Sequence, residues 1–181
     1  MTYGAVQESP LNGKRHTLSR PGSKWSVTLS FSGLTMRETG ILSSFLTLLD
    51  GFSHRFTLHD HSLLTPDGGG GGTPRVNGAG QTGTTLNTDG WPLSTSGVLL
   101  RGDMFSVNGE LKKVTADASS NGSGQATIQF GPPLRKSPID NALLDLTSPT
   151  GTFMLANPDN GWGQAPPRKG TVTLQAIEDI L

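Results

Sequence analysis

No cysteine occurs among the 181 residues, which excludes disulfides, thiolate metal sites and thiol nucleophiles. Stability has to come from core packing or from association with other chains. Charge of one sign is also lacking. The 14 basic residues balance 14 acidic ones, so no long-range field gathers phosphates, and nucleic acid is not the expected partner. No uncharged apolar run approaches the roughly 20 residues that cross a bilayer, and Met1 to Arg20 lacks the apolar segment of a secretory signal. The chain reads as soluble and unprocessed, with no membrane insertion. Its hydrophobic content, 33%, and charged content, 15%, are sparse but globular.

What is abundant is turn-forming residue. The 25 glycines and 12 prolines make about a fifth of the chain, which favours short strands joined by many loops without reaching low complexity. Five consecutive glycines, Gly68 to Gly72, carry no side chains to pack. They read as a flexible boundary between independently folding pieces.

Before that run, Trp25, Val27, Leu29 and Phe31 alternate with Ser26, Thr28, Ser30 and Ser32, the period of a half-buried strand with Trp25 in its core. Thr35-Met36-Arg37-Glu38 then fits a capping box. Ile41, Leu42, Phe45, Leu46, Leu48 and Leu49 recur at helical spacing, and Gly51 is placed to end the helix in a left-handed conformation. One amphipathic helix over about 35–50 is expected, followed by an alternating strand at Arg55 to His59. A single helix can cover one face of a sheet.

Beyond the glycines, turn pairs recur at short spacing: Asn77-Gly78, Asp89-Gly90, Asn108-Gly109, Asn121-Gly122 and Pro132-Pro133. The clearest hairpin joins Asp103–Val107 to Glu110–Val114 through Asn108-Gly109, a type I′ pair. A strand from Gln125 to Phe130 leads to the proline pair. Short antiparallel strands in this number suggest a small barrel, of which the five-stranded OB type is one candidate. The apolar stretches Thr152–Ala156 and Thr171–Ile177 fit that barrel poorly and are expected to complete the sheet of the first piece. The resulting fold class is mainly β: residues 1–72 and 152–181 form a discontinuous sheet domain with one helix, and 75–151 form an inserted OB-like barrel.

Gly78-Ala79-Gly80-Gln81-Thr82-Gly83-Thr84-Thr85-Leu86, then Gly102-Asp103-Met104-Phe105-Ser106-Val107 and Leu111-Lys112-Lys113-Val114-Thr115, together resemble the distal tail proteins of long, flexible, non-contractile-tailed bacteriophages. The resemblance extends from about Pro21 to the end and includes the Trp25 strand, the helix and the closing strand. It implies a ring, usually hexameric, at the virion's tail tip, assembled in the host cytoplasm. Such a ring joins the tail tube protein to the baseplate hub, tail fibre proteins and receptor-binding apparatus. The discontinuous piece would form the ring and the OB-like barrel would project from it. No cofactor and no catalysis are implied. Sheet extension between subunits would bury edges that otherwise invite aggregation.

Chemical signals are thin. His54, His59 and His61 lie close together, and His59 and His61 would share a strand face, but a third ligand is missing and loop or strand-end roles fit better. No Gly-x-Ser-x-Gly elbow supports a serine hydrolase. Gly78-x-Gly80-x-x-Gly83 matches the dinucleotide fingerprint by letters alone, since no helix-period segment follows. Arg101-Gly102-Asp103 spells an adhesion tripeptide but runs straight into an apolar strand. Trp91 and Trp162 sit in Gly/Pro-rich contexts, where an indole can stack on a sugar or anchor a loop or subunit contact. Two classes therefore stand: a self-assembling ring adaptor, or a carbohydrate-binding module whose barrel and Trp91 touch a host surface glycan.

Overall fold

The computed structural model describes residues 6–8, 15–17, 23–60, 65–157, 162–165 and 169–179, with backbone alone at 6–8, 15–17 and 162–165. In chain order the elements are β1 (Val6–Glu8), β2 (Arg15–Thr17), β3 (Ser26–Leu34), α1 (Met36–Leu49), β4 (Phe56–His59), β5 (Arg75–Val76) and β6 (Gly83–Asp89). Then follow β7 (Met104–Val107), β8 (Glu110–Ala116), β9 (Ala126–Leu134), β10 (Thr150–Leu155), β11 (Trp162–Ala165) and β12 (Lys169–Glu178). The protein is mainly β with one helix. It divides into two compact units, one built from Met1–Phe56 with Phe153–Asp179 and the other from Thr57–Thr152.

In the first unit, the C-terminal strand organises the sheet. β12 alternates buried and exposed residues and pairs antiparallel with β3 along one side, with β10 and β11 on the other. The sheet order runs β11-β12-β10-β4, and β3 lies against β12. The expected return of Thr171–Ile177 to the Trp25 strand is thus seen directly: Leu174 faces Leu29 and Ala176 faces Val27. Trp25 itself precedes β3 and is half-buried rather than core; its carbonyl accepts from the Glu178 amide at 2.8 Å and its amide donates to the Glu178 carboxylate at 3.1 Å.

α1 begins as its sequence requires. Thr35 is the N-cap; its hydroxyl accepts from the Glu38 amide at 3.3 Å, and the Glu38 carboxylate accepts from the Thr35 amide at 2.8 Å. The helix ends where the glycine suggested: Leu49 is its last residue, Asp50 is the cap (φ 46°), and Gly51 follows in the left-handed conformation (φ 63°). Leu46 and Leu49 pack with Leu155, Val172 and Leu174. Each such burial contributes about 1.5–3 kcal/mol. Close approach is fixed at Gly170, where a Cβ would lie 2.0 Å from the Thr39 hydroxyl oxygen.

The second unit is a five-stranded antiparallel sheet in the order β5-β6-β9-β8-β7. β7, β8 and β9 are hairpin-connected neighbours, and β6 lies beside β9 after a long connection to β7, which is a Greek key. Asn108 (φ 54°) and Gly109 (φ 77°) form the expected type I′ turn. The sheet curls, and residues 142–145 bridge its two outer strands. Val76 donates to Ala142 at 2.9 Å, while Ser106 and Asp145 exchange two 2.9 Å backbone bonds. This closure was not legible as a strand. The interior holds Leu86, Ile128, Val114 and the edge-to-face pair Phe105–Phe130, ring centres 5.5 Å apart. Pro132-Pro133 does not end the strand before it, since β9 runs through both prolines to Leu134.

The glycine run is not a flexible boundary. It lies inside the second unit as a strap pinned to the barrel. Gly69 and Gly70 donate to the carbonyls of Gly97 and Val98, and the buried Asp103 carboxylate accepts from the amides of Asp67, Gly68 and Leu100 at 2.9, 3.1 and 2.7 Å. Glycine is required because backbone meets backbone. A Cβ at Gly68 would sit 2.7 Å from the Leu99 Cα, and one at Gly72 would sit 2.1 Å from the Gly90 oxygen.

Candidate interaction surfaces

The helix carries two apolar faces rather than one. Leu42, Leu46 and Leu49 face the sheet, whereas Ile41 (58% exposed), Phe45 (36%) and Leu48 (74%) repeat at i, i+4, i+7 on an adjacent face, and Phe52 (47%) is exposed just past the helix end. Together they make about half the helix circumference apolar. The helical spacing that grouped Ile41, Leu42, Phe45, Leu46, Leu48 and Leu49 on one amphipathic helix could not separate the two faces. A helix facing one sheet and water needs a narrower stripe. Contiguous exposed apolar area of this kind marks an interaction surface. Phe45 is braced by an edge-to-face contact with Phe56, ring centres 5.6 Å apart.

A second surface is polar. On the outer face of β6 and β9, a groove of about 600 Å³ is lined by Asn77, Asn87, Ser119, Asn121, Gln125 and Thr127, beside the backbone of Thr88 and Ala126. Asn87 and Thr127 are directly opposed, pointing outward because Leu86 and Ile128 between their neighbours point into the barrel. The Thr127 hydroxyl donates to Asn87 Oδ1 at 2.9 Å. Asn121 Oδ1 accepts from the amides of Ser123 and Gln125, both at 2.9 Å, and Asn121 Nδ2 donates to Gln125 Oε1 at 3.2 Å. In the sequence Asn77 and Asn121 stood out only as turn residues and Gln125 only as a strand start, and Asn87 and Thr127 did not stand out, because outward polar residues on strands are the ordinary case.

Trp91 is not an exposed platform. It is 4% exposed in the barrel core, and its indole N–H donates to the Thr88 hydroxyl at 2.8 Å. That is the loop-anchoring role, and sugar stacking on this ring is excluded in this fold. The backbone of Trp162 lies in β11, opposite Val172, rather than in a loop, and its side chain lies outside the described residues.

The remaining motifs resolve into structure. Gly78 (φ 94°), Gly80 (φ 80°) and Gly83 (φ 84°) shape the β5–β6 turn, and Gln81 staples it. Its Nε2 donates to the carbonyls of Asn77, Gly78 and Asn87, and its Oε1 accepts from the Asn87 amide at 2.6 Å. The fingerprint-like spacing therefore serves a turn. Asp103 of the Arg101-Gly102-Asp103 tripeptide is 1% exposed and holds the glycine strap, so it is not displayed for adhesion. His59 lies in β4 and His54 in the turn before it, while His61 lies outside the described residues. Among the described residues no cluster of three or more His, Asp or Glu could hold a metal, and no helix is long and apolar enough to cross a membrane.

The Glu38 carboxyl is perturbed by its capping role. The Thr35 backbone amide and hydroxyl hold Glu38 below its ordinary value of 4.5. This is a helix-capping effect and not a catalytic one. No protein-family model and no curated protein matches the chain.

Proposed function

We propose that this chain is a self-assembling structural protein, a ring at the distal end of a phage tail. As such it joins the tail tube to the baseplate hub and receptor-binding apparatus at the tail tip. The observation that carries this reading is the second apolar face of α1. Ile41, Phe45 and Leu48 form one stripe on a helix whose other face is already satisfied by its own sheet. Burying each side chain against another copy contributes about 1.5–3 kcal/mol, which a small water-exposed helix otherwise forgoes. The outer strands β3 and β4 of the same sheet offer edges for continuation between subunits. The resemblance of the Gly78–Leu86, Gly102–Val107 and Leu111–Thr115 segments to distal tail proteins supplies the ring, its hexameric expectation and its position on the virion. The division into a discontinuous sheet unit and an intervening barrel supports the same reading.

Light scattering coupled to size-exclusion chromatography, with negative-stain imaging of the main peak, tests it. A hexamer-sized peak of ring-shaped particles is expected, and Leu48→Glu shifts it to monomer. Because Leu48 is 74% exposed, that substitution changes the monomer's stability by no more than about 0.5 kcal/mol. A monomer at every concentration, indifferent to Leu48→Glu, refutes self-assembly through this face.

A further inference from the structure

The polar groove on the barrel is lined by uncharged side chains, and it is independent of the assembly reading. No ionisable side chain lines it, so an anionic ligand would find no counter-charge there. No aromatic face is presented either, since Trp91 lies in the core beneath. What remains is a set of carboxamides and hydroxyls whose orientation is fixed in advance. Asn87 Oδ1 is occupied by the Thr127 hydroxyl, which turns Asn87 Nδ2 outward as a donor. Gln125 Oε1 is occupied by Asn121 Nδ2, which leaves Gln125 Nε2 in the same condition. Asn77 contributes a third carboxamide at the start of the β5–β6 turn. Among the described residues none accepts from these outward amide groups.

We infer that this groove binds a neutral saccharide, through amide donation from Asn87, Gln125 and Asn77 to sugar hydroxyl and carbonyl oxygens. Three features select that class. An uncharged ligand matches an uncharged lining. A ligand polar over its whole surface needs no apolar platform. The volume lies within the range of about 300–1,000 Å³ usual for small-molecule sites, and donors already held in place lower the entropy lost on binding. An extended peptide fits less well. Strand addition needs a free backbone edge, and at the groove β6 is held by β5 at Thr88 and Asp89 and by the Asn77 amide at Asn87, while β9 lies between β6 and β8.

The test is a titration of the isotopically labelled full chain, followed through its side-chain amide resonances. The probes are a panel of neutral di- and trisaccharides built on glucose, galactose, mannose, rhamnose and N-acetylglucosamine. Inorganic phosphate and an uncharged Gly/Ser heptapeptide serve as comparators. Saturable millimolar shifts of the Asn87 and Gln125 side-chain amides are expected with at least one saccharide, and none with phosphate. Asn87→Ala and Gln125→Ala, each made singly on an exposed site, should weaken that binding about 3- to 10-fold with unchanged melting. The inference is overturned if no saccharide shifts these resonances, if the peptide does so instead, or if both variants bind as tightly as the parent. The unsubstituted chain decides the first two outcomes, so a misfolded variant does not rescue the idea.

Discussion

Alanine placed singly along the glycine run separates a packed strap from a linker. At Gly72 the backbone is left-handed (φ 71°) and a Cβ would lie 2.1 Å from the Gly90 carbonyl oxygen, which also accepts the Thr73 amide at 3.1 Å. The left-handed conformation alone costs a non-glycine residue about 1–2 kcal/mol, and displacing a packed backbone typically adds about 1–3 kcal/mol. Gly72→Ala should therefore destabilise the barrel by about 2–5 kcal/mol. Gly70 isolates the first of these costs, since its φ is 48° but the nearest atom to an added Cβ is 3.8 Å away. About 1 kcal/mol is expected there. Gly69 has neither problem, the nearest atom being 3.7 Å away, so Gly69→Ala should be neutral or stabilising by up to about 1 kcal/mol through the unfolded chain. Urea denaturation of the three variants measures these differences. In calorimetry each kcal/mol should move the melting of a domain near 100 residues by roughly 4–8 °C. Three equal and small effects would refute the strap and restore the flexible boundary.

Three further outcomes follow from packing and charge. Lys112 and Glu110 form a 2.6 Å ion pair, 0% and 3% exposed at their side chains, with Glu110 also accepting from the amides of Arg135 and Lys136. Lys112→Met should cost about 3–5 kcal/mol in denaturant unfolding, and Glu110→Leu added to it should recover only part of that loss, because the Arg135 and Lys136 amides then lose their acceptor; a cost below about 1 kcal/mol, the level of a surface pair, would contradict the burial. Gly170→Ala should lose about 1–3 kcal/mol against the Thr39 side chain, and less when combined with Thr39→Ala; additive losses would mean that the contact is not the cause. Because Glu38 is held below 4.5 when folded, its capping contribution is complete above that value and is lost as the pH falls through the lower folded value. The helical circular-dichroism signal should fray in that acid window, and Glu38→Gln should remove this part of the pH dependence.

Much of the candidate site was hidden from sequence. The stripe residues were visible as apolar, but their spacing merged with that of Leu42, Leu46 and Leu49, so six residues read as one face. The central groove pair, Asn87 and Thr127, was invisible for the opposite reason. Asn87 and Thr127 are 40 positions apart and become neighbours only through the register of β6 with β9. Trp91 was conspicuous, and its flanking Gly90 and Pro92 suggested a loop tip; the pairing of its indole with Thr88 beneath the sheet was beyond any local pattern.

By itself the sequence determined the pieces whose causes lie within a few residues. Thr35 and Glu38 cap a helix they belong to, the Ser26–Leu34 alternation makes a strand with one drier face, and Asn108-Gly109 supplies the two positive φ angles of a hairpin. Such features depend on backbone preferences and on a side-chain period, both readable along the chain. Only the tertiary structure decided what those pieces meet. Asp103 became the anchor of the glycine strap because the fold brings Asp67 and Gly68 to it across more than 30 positions. The same five glycines would be a linker if nothing lay beneath them. With Gly90 and Leu99 beneath them, they are the residues that allow one backbone to lie on another.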